Sequence, residues 1–190
     1  MRAFIAIPLP LEIKDYLASL EQQLKTSQAD VKWVEPENIH LTLKFLGERN
    51  DKKIEKILEI MQGAAKDKPS FLIRLSSLGA FPRIDSPRII WVGIQEGTQE
   101  TEAIALELEE KIARLGIPKE DRPFSSHITI GRTRSNKNLQ DLSRELNQLS
   151  KKIKDRKAEF TANQIVLFKS TLSHQGPIYE TFQAVNLKTS

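Results

Sequence analysis

No cysteine occurs in this chain of 190 residues. Disulfides, thiolate metal sites and a cysteine nucleophile are therefore excluded. Histidine is nearly as scarce, with three in the whole chain, and aromatic residues make up only 6% of it. Long apolar runs are missing too: nothing approaches the roughly 20 residues of a membrane-spanning helix. Residues 1–11 are apolar but short and broken by Pro8 and Pro10, which does not suit a secretory signal. A cytoplasmic protein with no membrane partner is the expectation. Neither sign of charge dominates: 29 Lys and Arg against 25 Asp and Glu leave a net +4. That mild basic excess is compatible with an anionic partner such as RNA, and is common in proteins that bind none. A hydrophobic share of 39% with 28% charged residues describes a globular chain, long enough for one domain or two small lobes.

What is present repeats. His40-Leu41-Thr42-Leu43 returns as His127-Ile128-Thr129-Ile130, so two of the three histidines stand in one His-x-Thr-x frame with aliphatic residues at both x positions. On a strand, side chains at i and i+2 share a face. Each motif would then present an imidazole beside a hydroxyl while its aliphatic pair enters a core. Two such strands brought together would line one cleft with two His–Thr pairs, a workable acid/base apparatus.

The surrounding pattern repeats as well. Residues 4–7 read as a buried strand ended by Pro8 and Pro10, and residues 11–24 carry Ile13, Tyr16, Leu17, Leu20 and Leu24 at helical spacing. Residues 31–34 are extended, and 40–46 form the first motif strand, closed by Gly47. Asp51 can cap a helix bearing Ile54, Ile57, Leu58 and Met61. Strands follow at 71–78 and 88–94, around a turn containing Pro82 and Pro87. The second half predicts a helix over 98–115, stopped by Gly116 and Pro118. It continues with the motif strand at 126–132, a helix from Asn138 to about Lys154, and strands over 160–169 and 178–187. Each motif has a helix before it, a helix after it and a proline four residues upstream of its histidine, at Pro36 and Pro123. The offset is 127 − 40 = 87 positions, which reads as an internal duplication. Simple alternation of strands and helices also produces apparent repeats.

The octapeptide His40-Leu41-Thr42-Leu43-Lys44-Phe45-Leu46-Gly47 and the segment Phe124-Ser125-Ser126-His127-Ile128-Thr129-Ile130-Gly131-Arg132 resemble the 2H phosphoesterase superfamily. The likeness is to its RNA 2′,3′-cyclic phosphodiesterase branch, also called 2′–5′ RNA ligase. It runs nearly end to end, through residues 1–7, Lys32-Trp33-Val34 and residues 78–83. Ser126 stands where the family more often has proline before the second histidine. The resemblance implies an α+β fold over residues 1–190: one domain of two pseudo-symmetric, duplicated lobes. Each lobe is an antiparallel sheet backed by helices, and the active-site cleft lies between them.

Opening a 2′,3′-cyclic phosphate needs water activated on one side of phosphorus and a proton for the departing ribose oxygen on the other. Two histidines suit this because their ordinary pKa lies near working pH. Two threonine hydroxyls can hydrogen-bond the non-bridging oxygens. The scheme needs neither metal nor cofactor. The resemblance assigns the roles: His40 as proton donor to O3′, His127 as proton acceptor from water, and Thr42 and Thr129 as phosphate holders. It also implies that Phe45 stacks on the terminal base and that Arg132 contacts the phosphate. Strict alternation puts Phe45 and Arg132 on the face opposite the histidines. Their roles therefore require the strands to end or bulge first, as Gly131 could allow for Arg132; otherwise Phe45 is a core residue. The implied partner is RNA with a 2′,3′-cyclic phosphate end, with tRNA fragments or small cyclic nucleotides as candidates, and a monomer is expected. Ligation, small cyclic-nucleotide hydrolysis and non-catalytic binding of RNA ends are the alternatives.

Other conspicuous residues have plainer readings. His174 lies in a turn between strands. The run 151–157 places cations at a helix C-terminus, as the helix dipole favours. Trp33 and Trp91 read as core, and Glu35, Glu37, Glu120 and Asp121 as loop charges.

Overall fold

The computed structural model describes residues 1–153, 158–174 and 176–189. Nine strands and four helices are found among them: β1 (Arg2–Pro8), α1 (Leu11–Leu24), β2 (Val31–Trp33), β3 (His40–Glu48), α2 (Asp51–Ala65), β4 (Phe71–Arg83), β5 (Ser86–Ile94), α3 (Thr98–Ala113), β6 (His127–Thr133), α4 (Leu139–Ile153), β7 (Glu159–Ala162), β8 (Gln164–Ser173) and β9 (Gly176–Asn186). Helices form where apolar residues recur every three or four positions. On α1 that stripe is Ile13, Leu17, Leu20 and Leu24; on α4 it is Leu142, Leu146, Leu149 and Ile153, all buried. The cap of α2 is Asn50, not Asp51: its side chain accepts the Lys53 amide at 3.0 Å, and Asp51 is the first helical residue. The prolines do not form a loop between β4 and β5. Pro82 and Pro87 face each other inside the hairpin, beside a register shift that accommodates their missing donors, and the turn is Ile84-Asp85. Of the basic run 151–157, residues 154–157 lie outside the described residues, as does Gln175 next to the exposed His174.

The strands make two antiparallel sheets, ordered β3-β1-β8-β9 and β2-β6-β5-β4-β7. α2 and α3 pack behind the first, α1 and α4 behind the second, giving a two-lobed α+β fold. Each lobe centres on a motif strand paired with a neighbour, β3 with β1 and β6 with β5. The hairpins are exchanged between halves. β4 and β5, which follow the first motif, complete the second sheet; β8 and β9, which follow the second, complete the first. β2 is an added edge strand outside β6. The motif aliphatics Leu41, Leu43, Ile128 and Ile130 enter a core shared with the helices, and β3 and β6 meet where the lobes join.

Candidate active site

One local irregularity in each motif strand decides what the cleft contains. Against β1, Ala6 pairs with Thr42 but Ile5 pairs with Lys44, leaving Leu43 as an extra residue. Against β5, Trp91 pairs with Thr129 but Ile90 pairs with Gly131, leaving Ile130 extra. Both are β-bulges at the fourth residue of the motif, and a bulge reverses the alternation beyond it. Leu43 and Lys44 therefore both turn inward, as do Ile130 and Gly131. Phe45 and Arg132 emerge on the cleft side, exposed, alongside Thr42, His127 and Thr129. The face conflict in the sequence pattern is resolved in favour of both residues reaching the cleft.

The cleft measures about 510 Å³ and is walled by both motif strands, Phe81 and Ile89 of the β4–β5 hairpin, and residues 120–125 before β6. Among the described residues, no hydrogen bond engages the hydroxyl of Thr42 or Thr129, so both are available to a ligand.

The two imidazoles are held alike. His40 Nδ1 lies 2.6 Å from the Asn38 carbonyl oxygen, and His127 Nδ1 lies 2.7 Å from that of Ser125. A carbonyl can only accept, so in both rings Nδ1 carries the proton. Nε2 is left in each as the atom that accepts a proton when neutral and donates one when charged.

Their surroundings differ. His40 sits among aromatic rings, 4.6 Å from Phe4 and 5.4 Å from the edge-on Tyr179, centroid to centroid. Burial pulls its pKa down to about 4; the Asn38 carbonyl opposes this and the Lys14 charge adds to it. Lys14 is held close by donating to the Glu37 carbonyl at 2.8 Å. His127 stands edge-on to Phe81 at 5.1 Å and near Trp91 at 6.4 Å. Its pKa is lowered too, by burial first, with the Ser125 carbonyl opposing and the Arg132 charge assisting. In the free protein both imidazoles are driven towards neutrality, His40 further.

Sequence reasoning missed several of these neighbours. Trp91 faces the cleft beside Thr129 instead of the core, which Trp33 does pack against. It lies over Gly79, where a Cβ would stand 2.5 Å from the indole, so the glycine makes room for the ring. Glu120 and Asp121 are in the cleft wall. Lys44, only 2% exposed, bonds Glu109 on α3 at 2.7 Å, Glu120 at 3.5 Å and the Pro118 carbonyl at 3.1 Å. The Glu120 amide donates to Glu109 as well, at 2.5 Å. The residue after the first motif thus anchors the segment that leads into the second. Among the described residues, no group of three or more His, Asp or Glu side chains converges as a metal site would require. No helix among them is long and apolar enough to cross a membrane.

His127, Thr42 and Thr129 line the cleft. His40 is not among its lining residues but stands two positions before Thr42 on the same face of β3, packed against Phe4 and Tyr179. This set suits proton transfer about a phosphate ester. The comparisons agree with that class. A model of the LigT-like phosphoesterases matches twice in tandem, over residues 7–91 and 92–179. The RNA 2′,3′-cyclic phosphodiesterase of Methanocaldococcus jannaschii is 38% identical over 184 residues, covering 96% of this chain and 99% of that protein. The protein of the same name from Aquifex aeolicus is 33% identical over 183 residues, covering 94% and 93%. A crystal structure of TT0787 from Thermus thermophilus superposes with a TM-score of 0.80 at 26% identity, covering 98% of both chains. The chain belongs to the LigT-like phosphoesterase, or 2H phosphoesterase, family.

Proposed function

We propose that the protein hydrolyses RNA 2′,3′-cyclic phosphate ends to 2′-phosphomonoesters. The observation that carries this is the pair of Nδ1-anchored imidazoles on matched bulged strands. Water attacks phosphorus as His127 Nε2 takes its proton. The bond from phosphorus to O3′ breaks, and His40 Nε2 gives its proton to that oxygen, leaving the phosphate on O2′. Thr42, Thr129 and Arg132 hold the non-bridging oxygens, where negative charge redistributes. Phe45 offers an exposed ring to the terminal base. The two tandem family matches support reading the single domain as two duplicated lobes, each supplying one motif.

The donor role of His40 rests on the family resemblance. Burial favours the neutral ring at both positions, most strongly at His40. A bound phosphodiester adds negative charge beside the two rings, so proton uptake accompanies binding. Run in reverse, the same groups would join ends through a 2′–5′ linkage.

The test is incubation of the protein with a short RNA bearing a 2′,3′-cyclic phosphate, in EDTA, followed by analysis of the product end. A 2′-phosphate resistant to a 3′-specific phosphatase is expected. An end that stays cyclic would overturn the reading, a 3′-phosphate the assigned geometry, and activity restored only by a divalent ion the two-histidine scheme.

A further inference from the structure

Charged residues that lie directly opposite one another in these sheets pair by sign. Arg2 faces Glu48, Arg74 faces Glu159, and Lys169 faces Glu180. Opposed unlike charges stabilise a sheet, and like charges directly opposite destabilise it. Among the described residues, one charged pair breaks the pattern: Lys32 on β2 faces Arg132 on β6. No carboxylate lies within 4.0 Å of either among the described residues.

That pair stands at the cleft. Register places Lys32, Arg132, Ile89 and Phe81 in one row across four adjacent strands, and directly paired residues share a face. The last three line the cleft, so the exposed Lys32 extends the same surface outward by one strand spacing, about 5 Å. Its ammonium nitrogen reaches towards the first lobe, 3.8 Å from where a Cβ on Gly176 would stand. The adjoining Pro177 carbonyl accepts from Asn38, the residue whose own carbonyl anchors His40. Lys32 thus stands at the end of the cleft where the lobes approach, just beyond the cation assigned to the terminal phosphate.

Two adjacent cations on one face suit a ligand with two successive anionic groups. We propose that Lys32 binds the phosphodiester preceding the terminal nucleotide, so that the site favours an RNA strand end over a free nucleoside 2′,3′-cyclic phosphate. This rests on the hydrolase reading above and adds its substrate class. The subsite belongs to the second lobe, because among the described residues no strand flanks β3 as β2 flanks β6.

The experiment compares kcat/KM for cytidine 2′,3′-cyclic phosphate with that for a dinucleotide ending in the same group. Lys32→Ala should lower the dinucleotide value by about tenfold more than the mononucleotide value, through KM. Lys32→Glu should widen the gap and Lys32→Arg should restore most of it. The slope of log affinity against log salt should shrink by about 0.7 for the dinucleotide. The melting temperature of Lys32→Ala should hold or rise as repulsion from Arg132 is removed. Equal losses on both substrates, or an undiminished dinucleotide rate, would overturn the subsite. Binding of a dinucleotide 2′-phosphate, followed by fluorescence anisotropy, reads the subsite without turnover. A wild type that binds it through Lys32 but cleaves neither substrate would sink the hydrolase reading and leave the subsite standing.

Discussion

In the first lobe the bulge at Leu43 turns Lys44 inward and Phe45 into the cleft; in the second, the bulge at Ile130 turns Gly131 inward and Arg132 into the cleft. The backbone device is shared and so is the Nδ1 anchor, yet what each strand delivers beyond the bulge differs. One lobe offers a ring to stack on and hides a cation. The other offers a cation and hides a residue without a side chain. The positions proposed to move protons are held alike, while those proposed to recognise the substrate, and those that anchor the wall, differ between the lobes. A Lys at position 44 can bind α3 because that helix packs on β3. A side chain at Gly131 would meet Val31 at 2.9 Å and Trp33 at 3.0 Å, so the second lobe leaves no room for one.

The sharpest way to break this comparison is to remove one imidazole at a time. His40→Ala and His127→Ala should each cut turnover by on the order of 10² to 10⁴. The double variant should be far less than multiplicatively worse, because either loss already disables the transfer. Since both free imidazoles have lowered pKa values, kcat/KM should peak on the acid side of pH 6.5 and fall as pH rises to 8. Removing His127 should erase the acidic limb, and removing His40 the basic one. Variants that unfold readily but keep near-normal turnover would point to structural histidines instead.

The inward-turned residues come next. Lys44→Met leaves the half-buried Glu109 without its cation and should cost about 3 kcal/mol in a denaturant titration, the low end for breaking a buried pair. Replacing Glu109 by Leu in the same chain should recover much of that. The matching change in the second lobe, Gly131→Ala, should cost about 1–3 kcal/mol by overpacking. Equal costs at the two positions would show that the lobes do not differ in the way described.

Much of this was legible in the sequence. The duplicated His-x-Thr-x frame, the 87-residue offset and the apolar stripes place both motif strands and all four helices, because those signals are local and periodic. The bulges were not legible. Gly131 hints at one in the second strand, but nothing in Leu43-Lys44-Phe45 marks the first, and strict alternation would send Lys44 to the cleft and Phe45 to the core. Register depends on the partner strand, and β1 lies more than 30 residues upstream of β3. The same holds for Tyr179 and Trp91, which reach their histidines only through sheet pairing, and for Glu120, whose role depends on Lys44.

Smaller effects belong to the outward-turned residues. Phe45→Ala should raise KM and largely spare kcat, since loss of a stacked base is worth about 1–3 kcal/mol in binding. Arg132→Ala should lower kcat as well, because charge on the phosphate redistributes during the reaction. If both variants change only KM, the two lobes contribute equivalent binding and their chemical difference is incidental.

The effect farthest from the cleft concerns α1, which packs behind the second lobe. Glu21 is buried there with one carboxyl oxygen unpartnered, and burial raises its pKa to about 8, with Lys25 opposing and Glu35 assisting. The folded state therefore holds a proton that the unfolded chain releases near pH 4.5. The corresponding stability is present below that pH and is lost as pH rises through 8. Glu21→Gln should flatten the stability profile between about pH 5 and 9, read as melting temperature against pH.

The exchanged hairpins bear on how the molecule is made. β1 lies between β3 and β8, and five of its seven residues are buried. During synthesis its outer edge has no partner until residues 164–173 leave the ribosome, while β4 and β5 wait for β6 in the same way. Neither wall of the cleft closes on nascent chain from one half alone. An interrupted translation product would thus expose an open apolar strand edge, a ready target for aggregation and for proteases. It would carry no half-built catalyst into the cell.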